Sequence, residues 1–323
     1  MHDLIIVGSG PSGLSCALEA QRAGLDYLVL EKGTITDSIY HYPISMVFFT
    51  TKELIEIGDY PLTIFNAKPT REEALHYYSR FVLDNKIAIN TYEEVTGVQG
   101  KKGDFLINTK NNLGETREYK SRTVIVATGV FDNPRMLNIP GEDLSNVSHY
   151  FKEAHPYVGK RVLVIGGRNS AAEASLDLYR AGASVCMSVR DSEFSHLKYW
   201  VQPDLLNRIK EGSIDCHYRS HVREIRDREA IIELSDGHIL THECDFVLAL
   251  TGYEPDGRLL KNIGVKYNEI MKPEHNPDTL ETNIPGVYVA GVITAGNDSS
   301  LVFIENGRFH GAKIIPHLKN TLK

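Results

Sequence analysis

The sequence has few cysteines, no excess of positive charge and no long apolar run. Its 323 residues include four cysteines, Cys16, Cys186, Cys216 and Cys244, and no two of them form a C-x-x-C pair. This spacing excludes a disulfide scaffold, a redox dithiol and a zinc site of paired cysteines. The formal net charge of −7 argues against a basic nucleic-acid surface. No run approaches the ~20 apolar residues of a membrane helix. From the charge and from the lack of such a run, we expect neither nucleic acid nor a membrane as a partner.

The composition that remains is that of a globular protein, with 42% hydrophobic and 24% charged residues. At ~150 residues per domain, the length predicts two domains. An apolar strand follows directly after Met1, His2 and Asp3, which leaves no room for a signal peptide. We therefore expect a soluble, cytoplasmic protein.

Two stretches of the sequence, about 160 residues apart, have the same order of strand, glycine turn, helix and strand. Their elements are predicted at Leu4–Val7, Pro11–Arg22 and Tyr27–Leu30, and again at Arg161–Ile165, Ser170–Arg180 and Ser184–Val189. Short continuous apolar runs of this kind are typical of buried parallel strands. The pattern predicts an α/β fold of two Rossmann-like, three-layer dinucleotide-binding domains.

Three further apolar runs indicate how the two domains are connected. They lie at Thr123–Gly129, Phe246–Gly252 and Gly286–Gly291, and a C-terminal helix is expected to begin near Ile304. The simplest layout inserts one domain into the other. We predict a discontinuous dinucleotide-binding domain at residues 1–133 and 253–323, and a second one inserted at residues 134–252.

The first glycine motif is Gly8-Ser9-Gly10-Pro11-Ser12-Gly13. Gly8 permits a tight turn after the strand, Gly10 lets a pyrophosphate approach the backbone, and Gly13 lets helix and strand pack closely. The phosphates are expected at the helix N-terminus, where free N–H groups favour anions. Glu31 ends the second strand, where a carboxylate accepts ribose hydroxyls and repels a 2′-phosphate.

The second motif is Gly166-Gly167-Arg168-Asn169-Ser170-Ala171. Arg168 stands where the first motif has its second glycine, so either the pyrophosphate lies further away or the guanidinium contacts it. Arg190 ends the following strand, in the place of Glu31, and an arginine there suits a 2′-phosphate. The two units thus differ as expected if the first holds FAD and the second holds NADPH.

Residues elsewhere complete the two candidate sites. For FAD they are Lys32, Tyr40, Ala127, Thr128, Gly129, Gly291, Val292, Phe303 and Ile304. For NADPH they are Lys198, Thr251 and Gly252. The helix that starts near Phe303 is expected to point its N-terminal dipole at the flavin.

Cys16 is the candidate catalytic cysteine, because it lies one turn beyond the phosphate motif, although a buried structural thiol is the commoner case. The thirteen histidines show no H-x-x-x-H spacing on a predicted helix. We therefore predict no metal site.

In this order, GSGPSG, Glu31, VIVATG (124–129), VIGGRNSAAEA (164–174), Arg190 and GVYVAG (286–291) resemble the low-molecular-weight thioredoxin reductases. Six segments are similar to a narrower group, the YpdA family of bacillithiol disulfide reductases. They are SIYHYP (38–43), FFTTKELIEIGDYP (48–61), KPTREEALHYY (68–78), VIGGRNSAAEASLDLYRAGA (164–183), HLKYWVQPDLLNRIKEGSI (196–214) and AGNDSSLVFIENGRFHG (295–311).

The resemblance implies an NADPH-dependent FAD enzyme that passes hydride from NADPH to FAD and on to a low-molecular-weight disulfide such as bacillithiol disulfide. The C-x-x-C of thioredoxin reductases is absent here, which implies reduction without an internal dithiol. Some family members have a cysteine at the position of Ser12. Either that cysteine is not required, or Cys16 replaces it, or the acceptor differs. Related proteins are commonly dimers or tetramers, so a homo-oligomer is expected.

Other functions are compatible with the same pair of nucleotide sites. FFTTKELIEIGDYP is also similar to flavin-dependent monooxygenases. The missing dithiol keeps open a ferredoxin reductase, a reductase of another redox partner protein, or a non-catalytic redox sensor.

Overall fold

The computed structural model describes residues 1–194, 197–298 and 301–322, so Ser195, His196, Ser299, Ser300 and Lys323 lie outside the described residues. Three of the five, His196, Ser299 and Ser300, belong to segments that carry the YpdA resemblance. The chain divides into two compact units. Unit 1 comprises Met1–Asn133 and the segment from Tyr253 onward, and unit 2 is Pro134–Gly252. The predicted division falls at the same residues, and the nucleotide that each unit binds stays a prediction.

Within the described residues the strands are β1 (His2–Val7), β2 (Tyr27–Leu30), β3 (Ile89–Asn90), β4 (Glu93–Lys101), β5 (Asp104–Asn111), β6 (Thr116–Val126), β7 (Val147–Ser148), β8 (Arg161–Ile165), β9 (Ser184–Val189), β10 (Ile214–Tyr218), β11 (His221–Ile225), β12 (Glu229–Glu233), β13 (Ile239–Glu243), β14 (Phe246–Ala249) and β15 (Val287–Val289). The helices are α1 (Pro11–Arg22), α2 (Asp37–Tyr40), α3 (Lys52–Ile55), α4 (Arg71–Asp84), α5 (Asn169–Arg180), α6 (Val201–Lys210), α7 (Arg258–Asn262), α8 (Ile304–Gly307) and α9 (His310–Thr321), with 3-10 turns at His155–Tyr157 and Gly291–Ala295.

Unit 1 is built on a sheet of order β3-β2-β1-β6-β5-β4, in which β15 also pairs with β6. β1, β2, β3, β6 and β15 run parallel, whereas β5 pairs antiparallel with both β4 and β6. Val7 pairs with both Leu30 and Val126, and Val126 also pairs with Val289. The carboxyl ends of four strands therefore meet at one edge, which is where ligands bind to sheets of this kind.

Apolar residues on both faces of β1 explain its burial. Leu4 and Ile6 pack into a core with α1, while Ile5 and Val7 pack into a second core on the other face. Each such side chain, when fully buried, contributes roughly 1.5–3 kcal/mol. The result is a three-layer arrangement, as predicted.

Unit 2 repeats this plan with a five-stranded parallel sheet of order β10-β9-β8-β14-β7. Val162 and Val164 face a core that includes α5, whereas Leu163 faces a second core shared with the antiparallel sheet β11-β12-β13. The predicted α/β class with Rossmann-like layers is confirmed. Among the described residues, no helix is long and apolar enough to cross a membrane.

Three of the differences from the predicted element boundaries have a clear structural reason. β6 begins at Thr116 rather than Thr123, because its first half pairs with β5 and only its second half runs beside β1 and β15. β14 ends at Ala249, ahead of Gly252, whose φ of +94° is incompatible with a strand. The C-terminal helix is interrupted, since α8 ends at Gly307 and α9 begins at His310.

Candidate functional site

The first turn, Gly8–Gly13, joins β1 to α1 in a conformation that excludes side chains at two positions. Gly8 has a φ of +102°, and a Cβ there would lie 2.6 Å from the carbonyl oxygen of Ala127. A Cβ on Gly13 would lie 2.1 Å from the carbonyl oxygen of Gly8. Gly8 thus makes the turn possible, and Gly13 lets α1 pack directly against the end of β1.

Gly10 is required neither by its backbone angles nor by its protein neighbours. Its φ is −62°, which any residue adopts, and apart from Gly10 and its two chain neighbours no described atom lies within 4 Å of the position that a Cβ would take. The open space lies at the N-terminus of α1, which no described side chain caps and which has no acidic residue in its first turn. Such an end presents unpaired N–H groups to an anion, so this position fits a phosphate.

Glu31 is anchored beside this turn. Its Oε2 accepts hydrogen bonds from the N–H (2.7 Å) and the Oγ (2.9 Å) of Ser9, and its Oε1 accepts from the N–H of Gly33 (2.8 Å). The residue is buried, and this burial raises the pKa of the carboxyl, while the three donors act in the opposite direction. Because each carboxylate oxygen has further lone pairs, the group can still accept a ribose hydroxyl.

Lys32 and Tyr40 have protein partners of their own. Lys32 Nζ lies 2.9 Å from Asp132 Oδ2. The half-exposed Tyr40 ring lies 5.5 Å from the guanidinium of Arg71, which also donates to the Tyr40 carbonyl oxygen. Both side chains remain partly exposed, and their contact with a cofactor stays a prediction.

The C-terminal segment packs onto the start of α1. A Cβ on Gly291 would lie 3.0 Å from Ser12 Oγ, and a Cβ on Gly307 would lie 2.7 Å from the same oxygen. The N–H of Gly291 donates to Nδ1 of buried His310 at 3.0 Å. Burial lowers the pKa of His310 to about 4, so the ring is neutral near pH 7 and its proton is assigned to Nε2. His310 thereby fixes Gly291 close to the first turn.

The remaining unit 1 candidates are buried or half-buried near the first turn, except for the exposed Phe303. Val292 Cγ1 is 4.0 Å from the Cβ position of Gly129, and Ala127 lies against Gly8. Ile304 is half-buried against the α1 core, whereas the Phe303 side chain is exposed. Thr128 continues the chain from Ala127 and is also half-buried.

Cys16 is buried where α9 packs against α1. Its side chain is fully buried, and a Cβ on Gly311 of α9 would lie 2.9 Å from the Cys16 backbone nitrogen. Burial raises the pKa of the thiol to about 12. A nucleophilic cysteine must be accessible and ionised, so this environment argues against a catalytic role for Cys16.

The second turn, Gly166–Ala171, reproduces the first with one substitution that changes its chemistry. Gly166 has a φ of +142°, and its Cβ would lie 2.5 Å from the carbonyl oxygen of Leu250. A Cβ on Gly167 would lie 2.8 Å from Val189 Cγ1. Arg168 precedes α5 with an extended backbone and an exposed side chain. The position that is empty in the first turn therefore carries a cation here.

Arg190 follows β9 and is exposed, with 75% of its side chain accessible and its Nε 3.6 Å from Asp191 Oδ1. The N–H of Arg219 donates to the carbonyl oxygen of Asp191 at 3.1 Å, so a second arginine joins this loop. Exposed guanidinium groups beside the end of β9 suit the 2′-phosphate of a bound nucleotide.

Other candidates in unit 2 are held by hydrogen bonds. Asn169 Oδ1 accepts from the N–H of Lys198 at 2.8 Å, and Lys198 Nζ contacts Glu173 Oε1 at 2.6 Å. Thr251 Oγ1 donates to the carbonyl oxygen of Arg135 at 2.7 Å. Gly252 accepts from the Arg135 N–H, and Ser170 is exposed in the first turn of α5.

Sequence reasoning missed His310, Arg219 and a cluster of Cys186, His217 and His242. The partners of these residues lie far away along the chain, and none of them belongs to a recognisable local motif. The prediction of no metal site considered only spacing along the chain.

The chain resembles known proteins over almost its whole length. The family model described as pyridine nucleotide-disulphide oxidoreductase matches residues 5–291. The chain is 42% identical over 313 residues to bacilliredoxin reductase Bdr of Bacillus subtilis (strain 168), covering 96% of this chain and 95% of that protein.

Two solved structures are similar as well. Bacillithiol disulfide reductase Bdr (YpdA) from Bacillus cereus is 41% identical with a TM-score of 0.97, and 99% of each chain is covered. The Staphylococcus aureus protein of the same name is 39% identical with a TM-score of 0.94, again with 99% of each chain covered. These matches confirm the predicted resemblance and the prediction of an enzyme. The chain therefore belongs to the pyridine nucleotide-disulphide oxidoreductase family, in its Bdr (YpdA) branch, and is an oxidoreductase.

Proposed function

We propose that this oxidoreductase binds FAD in unit 1 and NADPH in unit 2, and reduces a low-molecular-weight disulfide such as bacillithiol disulfide without an internal dithiol. The disulfide is suggested by the names of the two similar solved structures, which are bacillithiol disulfide reductases. The observation that carries the assignment is the chemical difference between two turns that each join a parallel strand to a helix.

Unit 1 supports FAD through space and charge. The free volume at Gly10 and the uncapped end of α1 suit a pyrophosphate. Glu31, held by Ser9 and Gly33, suits the ribose of an adenosine without a 2′-phosphate.

Unit 2 supports NADPH through its cations. Arg190 replaces the carboxylate, and Arg168 replaces the phosphate-approach glycine. Both side chains are exposed and so available to anions. A 2′-phosphate distinguishes NADPH from NADH, so these arginines predict a preference for NADPH.

No cysteine of the chain is suited to relay electrons. Cys16, Cys186 and Cys244 are buried, and Cys216 is half-buried on the opposite face of the sheet from Cys186. Burial raises the pKa of Cys16 and Cys186 to about 12 and that of Cys216 and Cys244 to about 11. When bound, FAD would supply the two-electron chemistry that links NADPH to the disulfide. The residues of the chain bind and orient the two nucleotides.

The test is anaerobic consumption of NADPH by the purified full-length protein with bacillithiol disulfide as acceptor, and with glutathione disulfide and cystine as controls. We expect sustained consumption with bacillithiol disulfide and one NADPH oxidised per disulfide. NADPH consumption that requires oxygen and an organic substrate would indicate the monooxygenase instead. Consumption only with ferredoxin or another redox protein would indicate the partner-protein reductase. Gel filtration with light scattering would test the predicted homo-oligomer.

A further inference from the structure

Three potential metal ligands from three strands of unit 2 meet in one place. They are Cys186 on β9, His217 on β10 and His242 on β13. One ligand atom from each side chain, Sγ or an imidazole nitrogen, lies within 4.8 Å of the other two. The cluster lies outside the two turns to which the nucleotides are assigned.

The strand register explains how the fold assembles this cluster. Asp215 pairs with Cys186 on the neighbouring parallel strand, so His217, two residues further, projects from the same face as Cys186. His242 pairs with Ala230 on β12, and Ala230 belongs to the same buried core as Cys186. One ligand on each of two adjacent strands therefore meets a third from the antiparallel sheet.

The donor set is one that binds zinc. Thiolate and imidazole are preferred Zn²⁺ ligands, and Zn–S and Zn–N distances of about 2.3 and 2.0–2.1 Å place donor atoms about 3.3–3.6 Å apart in a tetrahedron. The three ligand atoms lie within 4.8 Å of one another, so side-chain movements of about 1 Å would bring them to these distances. Neither the thiol nor the two imidazoles has a hydrogen-bond partner among the described residues, so ligation would break no existing bond.

The surrounding charges do not oppose a cation. Asp215 and Glu243 place negative charge near the His242 ring, and Arg161 places positive charge there. Arg161 is itself ion-paired with Glu243 and with Asp245, the latter at 3.0 Å. Both histidines are only partly buried, which gives a metal ion a path from solvent.

We propose that unit 2 contains a zinc site in which Cys186 Sγ and one ring nitrogen each of His217 and His242 bind Zn²⁺, with a fourth position left to water or a carboxylate. Binding replaces the proton of the Cys186 thiol, which is released to solvent, while both imidazoles bind in the neutral form. The ion would fasten β13 to β9 and β10 and so stabilise unit 2.

The experiment uses tag-free, full-length protein carrying its bound cofactors, stripped with a chelator and desalted. Zn²⁺ is titrated in competition with a chromophoric chelator, and Co²⁺ serves as a spectroscopic probe, because tetrahedral thiolate-bound Co²⁺ absorbs at longer wavelengths than oxidised flavin. We expect one Zn²⁺ per chain, a thiolate–Co²⁺ spectrum, and a rise in melting temperature with added Zn²⁺.

Two ligand variants and two matched controls make the result specific. His242→Gln and Cys186→Ser are expected to lower Zn²⁺ affinity at least about tenfold. His238→Gln, an exposed histidine next to β13, and Cys216→Ser, on the other face of β10, are expected to bind as the unchanged protein does. His242→Gln changes a partly exposed side chain and so tests the site even where Cys186→Ser folds poorly.

Absence of stoichiometric Zn²⁺ binding would overturn the proposal. So would Zn²⁺ binding that His242→Gln leaves unchanged, or a Co²⁺ spectrum without thiolate ligation. NADPH-dependent disulfide turnover by His242→Gln is expected to equal that of the unchanged protein. Failure of the zinc site would therefore leave the proposed reductase function untouched.

Discussion

The first and second turns both begin with a glycine that the backbone conformation requires. They differ at a position where neither the backbone nor the neighbouring residues require glycine. Gly8 and Gly166 both have positive φ, and both lie against the carbonyl oxygen of a residue that follows a parallel strand, Ala127 and Leu250 respectively. The same backbone path imposes the same residue in both units. These two glycines therefore report on the fold, not on the ligand.

The fold does not determine the residue at the equivalent positions of Gly10 in unit 1 and Arg168 in unit 2. Neither the φ of Gly10 nor its protein neighbours require glycine there, and the equivalent residue in unit 2 is a long exposed cation. The strand ends differ in the same way, with a buried, hydrogen-bonded Glu31 in unit 1 and an exposed Arg190 in unit 2. Where the fold does not determine the residue, we infer that the ligand does.

The largest effect is expected from Gly8→Ala or Gly166→Ala. Each change forces a Cβ into a carbonyl oxygen at a positive φ, which costs about 3–5 kcal/mol of the free energy of unfolding of its unit. Gly10→Ala is the control, because its Cβ meets open space. Chemical denaturation of the apoprotein should show destabilisation by the first two changes and none by the third, while Gly10→Ala weakens FAD binding. A Gly10→Ala apoprotein as unstable as Gly8→Ala would contradict this distinction.

Among the described residues, unit 1 has a buried histidine, His310, next to its candidate site, and this predicts acid sensitivity. The ordinary pKa of histidine is 6.5 and that of folded His310 is about 4, so the unfolded chain takes up a proton between these values and the folded chain does not. Stability should therefore fall by about 3 kcal/mol as the pH falls from 6.5 to 4. The raised pKa of Glu31 contributes in the opposite direction.

His310→Gln should remove most of this contribution, because the amide oxygen can accept the Gly291 N–H without titrating. Urea unfolding at pH 7 and pH 5 measures the difference. An unchanged pH dependence in His310→Gln would show that His310 is not the group responsible.

Arg190→Ala tests the contrast in charge between the strand ends. Loss of the guanidinium should weaken NADPH binding at least about tenfold, or about 1.4 kcal/mol, and leave NADH nearly unaffected. Titration of each nucleotide by isothermal calorimetry measures both affinities. Arg180→Ala is the control, since that arginine is paired with Asp204 at 2.6 Å. An equal loss for NADPH and NADH would refute contact with the 2′-phosphate.

The smallest effect is expected from Cys16→Ala. The equivalent helix position in unit 2 is the buried Ala174, so the fold accommodates alanine there. Disulfide turnover should stay within about twofold of the unchanged protein, because a buried thiol with a pKa near 12 supplies no thiolate. If NADPH still reduces the flavin while disulfide turnover disappears, Cys16 is the nucleophile after all.

Local pattern was enough to predict most of the framework. α1, β2, β8 and β9 have the predicted bounds, and β1 ends as predicted at Val7, because each is a continuous apolar run or a helix close to a glycine. The start of β6 was not predictable from its own residues, since its pairing with β5 determines it.

The candidate sites show the same division. Both glycine turns were recognisable because their residues are adjacent in sequence. Gly291 and His310 are 19 residues apart, and Cys186 and His242 lie on different sheets, so only the folded chain brings each pair together. Burial of Cys16 likewise depends on α9, almost 300 residues away.

The assignment of the two turns is tested most directly by an anaerobic absorbance titration of the purified protein. The account predicts a yellow protein, or one that turns yellow with added FAD, whose flavin band is bleached by NADPH and restored by bacillithiol disulfide. A protein that stays colourless with free FAD, or a flavin that NADH bleaches as readily as NADPH, would contradict it.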